Sequence, residues 1–558
     1  MLVLGLNGWG RRSHDPAACL IADGQIVAFA EEERFTRYKH GFDSLPVHAA
    51  RYCLDAVGVG LADVDAVTFG WDVPRLVSAR AILPEHISSE LEHFLPRKLF
   101  PRRSEPRFEF VDHHLAHAAS ALLYAEASSA AVLVIDGQGE EASATAYHGR
   151  DGKLTRLRTY PIGWSLGFFY EAACSYTGMR TYDAGKLMGL AAHGQPTDAL
   201  DGLVRITADG YEFPHMATDH VRLGHSDDQE PIIAAWMQHF ARSFSLPPNR
   251  LGSGTDVYAY RDVAATVQYV LEEAVLTMAR DVLRTTGERV LALAGGIGFN
   301  ATLNGKLRQL PEIDRLFVQP VAGDAGVALG SAALIAAESG DRISTLGGSL
   351  ALGPEFNADA IRQALDEAGV RYSEPADIVG ATADRITTGG LVGWFQGRAE
   401  VGPRALGSRS LLALPTERET RDRVNLQAKR REAWRPLAPS MQTEHASEIL
   451  GEQLHLPYMV VTTRVTDSFR PLLGAVVHED GTTRPQTVDA ATHPLYHNLL
   501  GLLPHGIALN TSFNGRDEPI VATPAQALAS SRELGLDALI IGPFLAELTD
   551  ASEDSSWN

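Results

Sequence analysis

Two stretches decide the fold: "MLVLGLNGWGRRSHDPAACLIADGQIVAFAEEER" (1–34) and "AAVLVIDGQGEEASATAYHGRDGKLTRLRTYP" (130–161). Each begins with an apolar run that reads as a buried strand ending in a polar loop. Each continues as strand, Asp-Gly turn, strand: Asp23-Gly24 in the first and Asp151-Gly152 in the second. Asp-Gly between alternating apolar positions is a hairpin signal, because both turn residues must adopt positive φ. The same plan at two places about 130 residues apart predicts a duplicated α/β unit with a cleft between its halves. Downstream, 262–287 reads as an amphipathic helix stopped by Gly287, and "RVLALAGGIGFNATLNGKL" (289–307) as strand, glycine break and helix. "RLFVQPVAGDAGVALGSAALIAAE" (315–338) repeats that plan. Glycine at such a turn lets the backbone approach a nucleotide, although most such glycines serve only a tight turn.

With 558 residues the chain is too long for one ordinary core. Composition loosens from "ESGDRISTLGGSLALGPEFNADA" (338–360) onward. The division expected is a first domain at 1–345, a linker at 346–375 and a second domain at 376–558. A hydrophobic content of 45% with 21% charged residues describes a globular chain. The net charge of −20 argues against nucleic acid or an anionic membrane as partner. Cys19, Cys53 and Cys174 are too scattered for a thiolate metal site and fit a reducing, cytoplasmic setting. No membrane-spanning or leader segment is expected. Against the acidic whole, residues 394–441 hold ten Lys/Arg and five acids. Within that window, "GRAEVGPRALGSRS" (397–410) suggests a backbone wrapped around a small anion held by guanidinium groups.

"VDHHLAHAAS" (111–120) places three histidines among small helix formers. His117 can share a face with His113 or with His114. Two converging imidazoles make half a metal site, and the same spacing also suits a hydrogen-bonded histidine pair at a helix start.

Taken together, "HHLAHAAS", "VIDGQGEE", "GKLMGLAAHG", "GGIGFNATLNGKL" and "GDAGVALGSAA" resemble the first domain of the nodulation-type O-carbamoyltransferases. "EVGPRALGSRS", "WRPLAPSM", "HEDGTTRPQTV" and "LNTSFNGRDEPIV" resemble the second. The match runs essentially the whole chain and lies nearest the antibiotic-tailoring branch. The resemblance implies an α/β protein: a duplicated actin-like domain followed by a YrdC-like α/β domain. It implies a metal held by His113, His117, Asp136 and Asp324, Fe(II) by family and Zn or Mn by donor chemistry, with His114 in a supporting role. It implies ATP with Mg and carbamoyl phosphate as co-substrates. Carbamoyl-adenylate would form at Arg404, Lys429, Arg435 and Arg484, with Asn510 and Ser512 as neutral donors. The carbamoyl group would then pass to a hydroxyl, with His14 as base and Lys39, Lys186, Gly295, Gly296 and Asn300 along the adenylate. His193 departs from the tyrosine many relatives carry. The acceptor expected is a small-molecule glycoside, an aminoglycoside first and a glycosylated macrolide second. Asp228, beside Asp227, would hold an ammonium group, while "FPHM" (213–216) and "WMQHF" (236–240) offer an apolar wall. A homo-oligomer is compatible with these features. The alternatives are a tRNA threonylcarbamoyl-type transferase, which −20 disfavours, and an actin-like kinase or ATPase, which needs neither the HxxxH set nor the basic segment.

Overall fold

The computed structural model describes residues 1–11, 13–80, 90–216, 225–250 and 255–548. It divides into two units, Met1–Thr36 with His40–Thr345, and Arg37–Lys39 with the chain from Leu346 onward.

The first unit contains the expected duplication. One sheet is built from β1 (Leu2–Asn7), β2 (Ala17–Ala22), β3 (Gln25–Glu31), β4 (Ala66–Phe69) and β5 (Arg107–Phe110), in the order β3-β2-β1-β4-β5. The other uses β6 (Ser129–Ile135), β7 (Ala142–Arg150), β8 (Lys153–Pro161), β9 (Val290–Ala294) and β10 (Arg315–Val318), in the order β8-β7-β6-β9-β10. In both, the first three strands are antiparallel and the last two add in parallel. This repeated topology is the duplicated actin-like arrangement. Both Asp-Gly turns adopt the left-handed backbone the hairpin needs, with φ of 48° and 78° at Asp23-Gly24 and 49° and 75° at Asp151-Gly152.

The helices that frame the site are α1 (His113–Leu122), α2 (Leu166–Tyr176), α3 (Ala184–Ala191), α4 (Arg261–Thr286), α5 (Ala301–Arg308) and α6 (Ala325–Glu338). Helix α6 is buried from Ala325 to Ala336 and apolar on all sides, as a helix enclosed by neighbours must be. Two glycines set how closely it packs. A Cβ at Gly330 would stand 1.9 Å from the Ala116 carbonyl oxygen on α1, and one at Gly5 would stand 1.8 Å from that of Ala328. Small residues here bring α6 against α1 and β1 at backbone contact, which fixes the start of α6 relative to the histidines of α1.

The second unit is built around one mixed sheet of eight strands. Its strands are β11 (Tyr372–Ser373), β12 (Val392–Phe395), β13 (Arg409–Ala413), β14 (Ala438–Gln442), β15 (Gln486–Val488), β16 (Ile507–Ser512), β17 (Ala538–Ile541) and β18 (Phe544–Glu547). Their order is β11-β18-β17-β12-β13-β16-β14-β15, with an apolar core on each face. The expected linker at 346–375 contains folded elements of the second unit. Helix α7 (Ala358–Glu367) buries Ile361 and Leu365, and β11 pairs with β18. The glycine- and proline-rich approach to "ADAIRQALDE" masked its helical period. No helix among the described residues is long and apolar enough to cross a membrane.

Candidate metal centre and basic pocket

Asp112 caps α1 by accepting the Leu115 amide at 3.0 Å, so the helix begins at His113. The buried carboxylate of Glu140 accepts the His113 amide at 3.0 and 3.1 Å and the Asp72 amide at 2.7 Å. Four helical residues apart, His113 and His117 share a face, their ring centroids 4.6 Å apart. His113 stacks on Trp71 at 3.7 Å, and its Nδ1 lies 3.0 Å from the Gly70 carbonyl. That contact leaves Nε2 to face the carboxylates. Asp136 follows β6 and Asp324 precedes α6. His113 Nε2 is 3.3 Å from Asp136 and 3.7 Å from Asp324; His117 Nε2 is 3.3 and 3.8 Å from the same pair. One donor atom from each of the four lies within 4.8 Å of the others.

Gly295 contributes from below. Its φ is 87°, and a Cβ would stand 2.3 Å from the Ile135 carbonyl oxygen, so glycine lets β9 close on β6. The next amide, of Gly296, then donates to Asp136 Oδ1 at 3.0 Å. Gly295 and Gly296, expected along a nucleotide, thus support the carboxylate.

The fit to a cation rests on an orphan. His117 is fully buried, yet neither ring nitrogen makes a hydrogen bond. Nε2 has at least the two carboxylates nearby, but leaving Nδ1 unmatched costs on the order of 1–3 kcal/mol. Two imidazoles and two carboxylates with no thiolate suit a borderline divalent ion. In the ion-free chain burial opposes charge on His117, but Asp136 and Asp324 outweigh it and push the imidazole up to about 9. His114 stands apart: its Nδ1 meets Thr145 Oγ1 at 2.7 Å, and burial together with His113 drives it down to about 3.

Asp15 joins His14 and His40, its two oxygens 3.0 Å from His14 Nδ1 and 2.9 Å from His40 Nδ1. The aspartate holds φ at 50°, and the Asn7 amide donates to its carbonyl at 2.9 Å; such strain persists where surroundings impose it. His14 packs near Tyr182, ring centroids 5.4 Å apart. Burial opposes its protonation, but Tyr182, Asp324 and Asp15 raise it well above the usual histidine range. Glu171 on α2, which the sequence did not single out, interacts electrostatically with His14, Asp136 and Asp324. Burial pushes its carboxyl up to about 7, and Gln229 donates to it at 2.7 Å.

Other expected residues have different duties. Asn300 caps α5 through the Leu303 amide at 3.0 Å and exchanges hydrogen bonds with Gln268. Lys186 pairs with Asp183 at 2.8 Å. His193 lies 5.6 Å from the Tyr258 ring. Lys39, expected in the first domain, groups with the second unit. Of the acceptor residues, Met216 and Trp236 are buried in the first unit, whereas the side chains of Asp227 and Asp228 lie outside the described residues.

In the second unit the "EVGPRALGSRS" loop is organised from within. Glu400 Oε1 accepts the amides of Leu406, Ser408 and Arg409 at 2.8, 2.7 and 3.0 Å. The loop therefore wraps its own carboxylate, and Arg409 is spent on backbone carbonyls and the Phe395 ring. Arg404 remains. Its charge acts on Arg484, as do those of Arg431 and Arg435, and Lys429 feels Arg431 and Arg435. Burial first, then these like charges, brings Arg404 to about 10 and Arg431 to about 9, and depresses Lys429 and Arg484 well below their usual ranges. Lys429 follows a π-helical turn (Arg423–Ala428), and Arg430 after it holds φ at 46°. Lys429 Nζ donates to the Ser512 carbonyl at 2.6 Å and to Asn514 Oδ1 at 2.9 Å. Asn510 donates to Ser440 Oγ at 2.9 Å, its own Oδ1 without a hydrogen bond. Lys429 is buried with these guanidinium groups half-buried around it, and cations gathered in such number need an anion. The set expected from sequence assembles here, joined by Arg431.

Comparison with known proteins now decides the lineage. The model of the carbamoyltransferase N-terminus matches residues 4–333, and that of the carbamoyltransferase C-terminus residues 383–547. The chain belongs to the carbamoyltransferase family. Nodulation protein NolNO of Sinorhizobium fredii is 34% identical over 591 residues, 100% of this chain and 84% of the relative. Nodulation protein NolO of Bradyrhizobium diazoefficiens is 36% identical, covering 79% of this chain and 80% of its own length. The 3'-hydroxymethylcephem-O-carbamoyltransferase of Amycolatopsis lactamdurans is 30% identical over 65% of this chain and 64% of that protein. As an enzyme, this family member is an O-carbamoyltransferase.

Proposed function

We propose that the enzyme consumes ATP and carbamoyl phosphate and carbamoylates a sugar hydroxyl of an antibiotic or related secondary metabolite. The observation that carries this reading is the second unit's basic pocket around the buried Lys429. Among the described residues, Arg404, Lys429 and Arg484 there have no carboxylate in ion-pair contact, so the pocket is built for anionic substrate. Water cleaves carbamoyl phosphate to carbamate and phosphate; a carbamate oxygen then displaces pyrophosphate from the α-phosphorus of ATP, giving carbamoyl-adenylate. Fixed guanidinium charge stabilises the departing pyrophosphate, and a YrdC-like pocket closed to bulk water protects the short-lived carbamate.

The first unit then completes the reaction. The acceptor oxygen attacks the carbamoyl carbon, the bond to AMP breaks, and His14 receives the hydroxyl proton. Asp15 fixes the His14 ring through Nδ1, which leaves Nε2 for that proton. His113, His117, Asp136 and Asp324 would hold a divalent cation, Fe(II) by family, which supplies Lewis acidity when bound. Neutralising Asp324 in this way would return His14 toward a range in which it can act as base. Glu171 would face an acceptor ammonium group, which supports an aminoglycoside over a neutral macrolide glycoside, with Asp228 as its expected companion.

The test is mass spectrometry of reactions containing ATP, Mg, carbamoyl phosphate and a panel of aminoglycosides, macrolide glycosides and tRNA. One carbamoyl group on an aminoglycoside is the expected product. A phosphorylated acceptor, or modification of tRNA alone, would overturn the reading.

A further inference from the structure

A second basic pocket lies in the same unit, apart from the carbamoyl phosphate residues. It encloses about 590 Å³, and four arginines line it: Arg418, Arg421, Arg464 and Arg470. The carbamoyl phosphate set gathers near the start of β13, where Ser410 pairs with Ser512, the residue Lys429 contacts. The second pocket's Thr416 lies past the other end of β13, held to Gly474, also of its lining, through the Gly474 amide at 3.1 Å. His478 of the lining feels Arg484, but none of the four arginines is among the main charges that shift Arg404, Lys429, Arg431 or Arg484.

The pairing of these arginines is unusual for so acidic a chain. Elsewhere on the molecule arginines meet carboxylates, as Arg289 meets Asp314 and Arg423 meets Asp537. Arg418 and Arg464 meet none among the described residues. Arg421 Nε is buried without a hydrogen bond, and its nearest acid contact is Asp422 at 3.6 Å. Arg470 pairs with Asp467 at 2.8 Å and packs against Gly481, whose φ of 76° brings backbone rather than side chain to the guanidinium. Asp480, on the pocket wall, is committed to Thr482, accepting its amide at 2.9 Å and its hydroxyl at 2.7 Å. That leaves Glu479 as the other acid of the wall, exposed and suited to accept from a ligand hydroxyl.

We infer that this pocket is a second anion site, built for a phosphorylated small metabolite of nucleotide size. Guanidinium groups from three separate segments converge, which suits a multiply charged phosphate bound in bidentate fashion. A concave pocket of this volume favours a small ligand over an extended polyanion.

Calorimetric titration of the full-length chain with pyrophosphate and with AMP tests the inference. The Arg404→Ala variant silences the carbamoyl phosphate pocket, so pyrophosphate binding left in it reports the second site. Adding Arg418→Ala and Arg464→Ala should weaken that residual binding at least tenfold, whereas adding Arg423→Ala, which removes a charge outside the pocket, should leave it unchanged. Acetate should bind far more weakly than pyrophosphate. Circular dichroism confirms that each variant is folded. Loss of all phosphate binding in Arg404→Ala alone, an unaffected Arg418/Arg464 variant, an equal effect of Arg423→Ala, or acetate binding as tight as pyrophosphate would each overturn the site.

Discussion

His117 and Asp136 stand 3.3 Å apart in a fully buried cluster, and neither nitrogen of the His117 ring makes a hydrogen bond. An arrangement of this kind is stable in two ways, with a proton on the imidazole or with a cation among the four donors, and the two states respond oppositely to pH. Without metal, the imidazole titrates at about 9 in the folded chain and near 6.5 unfolded. Its contribution to stability is complete below pH 6.5 and is lost as pH rises through 9. With metal bound, the proton must leave, so affinity grows with pH. The difference in Tm between Zn-loaded and chelator-treated protein should therefore widen from pH 6.5 to 9. A gap that narrows over this range contradicts the assignment.

His117→Ala should lower metal content from about one ion per chain to near zero, with far-UV circular dichroism unchanged. Loss of acceptor carbamoylation should exceed the roughly 10–100-fold typical of losing a residue that merely supports a ligand. Elemental analysis showing full occupancy would remove His117 from the ligand set.

Gly330→Ala addresses the packing behind the site. The added methyl must displace the Ala116 carbonyl, which a Cβ would approach to 1.9 Å. Overpacking of this kind costs about 1–3 kcal/mol, and it shifts the helix carrying His117 relative to Asp324. Weaker metal binding should accompany the fall in Tm. Unchanged stability would mean that α1 and α6 are not held at backbone contact.

Half-reactions should separate by unit. Arg404→Ala and Lys429→Ala should abolish ATP–pyrophosphate exchange yet leave transfer from supplied carbamoyl-adenylate intact. His14→Ala should show the reverse, forming adenylate that is not passed on. Equal loss of both activities in both variants, with folding intact, would refute the division.

Acceptor charge can be read from Glu171. Its carboxyl ionises at about 7, so the KM of a polycationic acceptor should fall as pH rises through 7 and climb with ionic strength. Glu171→Gln should raise that KM roughly tenfold, the order expected for one charge-assisted hydrogen bond, and flatten the pH dependence. A KM indifferent to salt, pH and this substitution points to a neutral glycoside.

Much of this was legible in the chain. The two Asp-Gly hairpins announced the duplication because a local turn chemistry fixes them, and the HxxxH spacing is a property of any helix. Asp136 and Asp324 needed the family resemblance, since no local pattern brings a strand end and a helix start to the same helix face. Glu140, Glu171 and the Asp15–His40 contact went unread for the same reason: their partners are distant in sequence. Glu400 was hidden differently. The arginines around it suggested a bound anion, and the anion its loop encloses is its own side chain.

The most direct test of the whole account follows the carbamoyl carbon. Carbamoyl phosphate labelled with ¹³C, with ATP, Mg and the metal-loaded enzyme, is monitored by ¹³C and ³¹P NMR as an aminoglycoside is added. The account predicts AMP and pyrophosphate in step with labelled carbamate ester on the acceptor, at one AMP per ester. Label reaching the acceptor without AMP, or ATP yielding ADP and a phosphorylated acceptor, would contradict it.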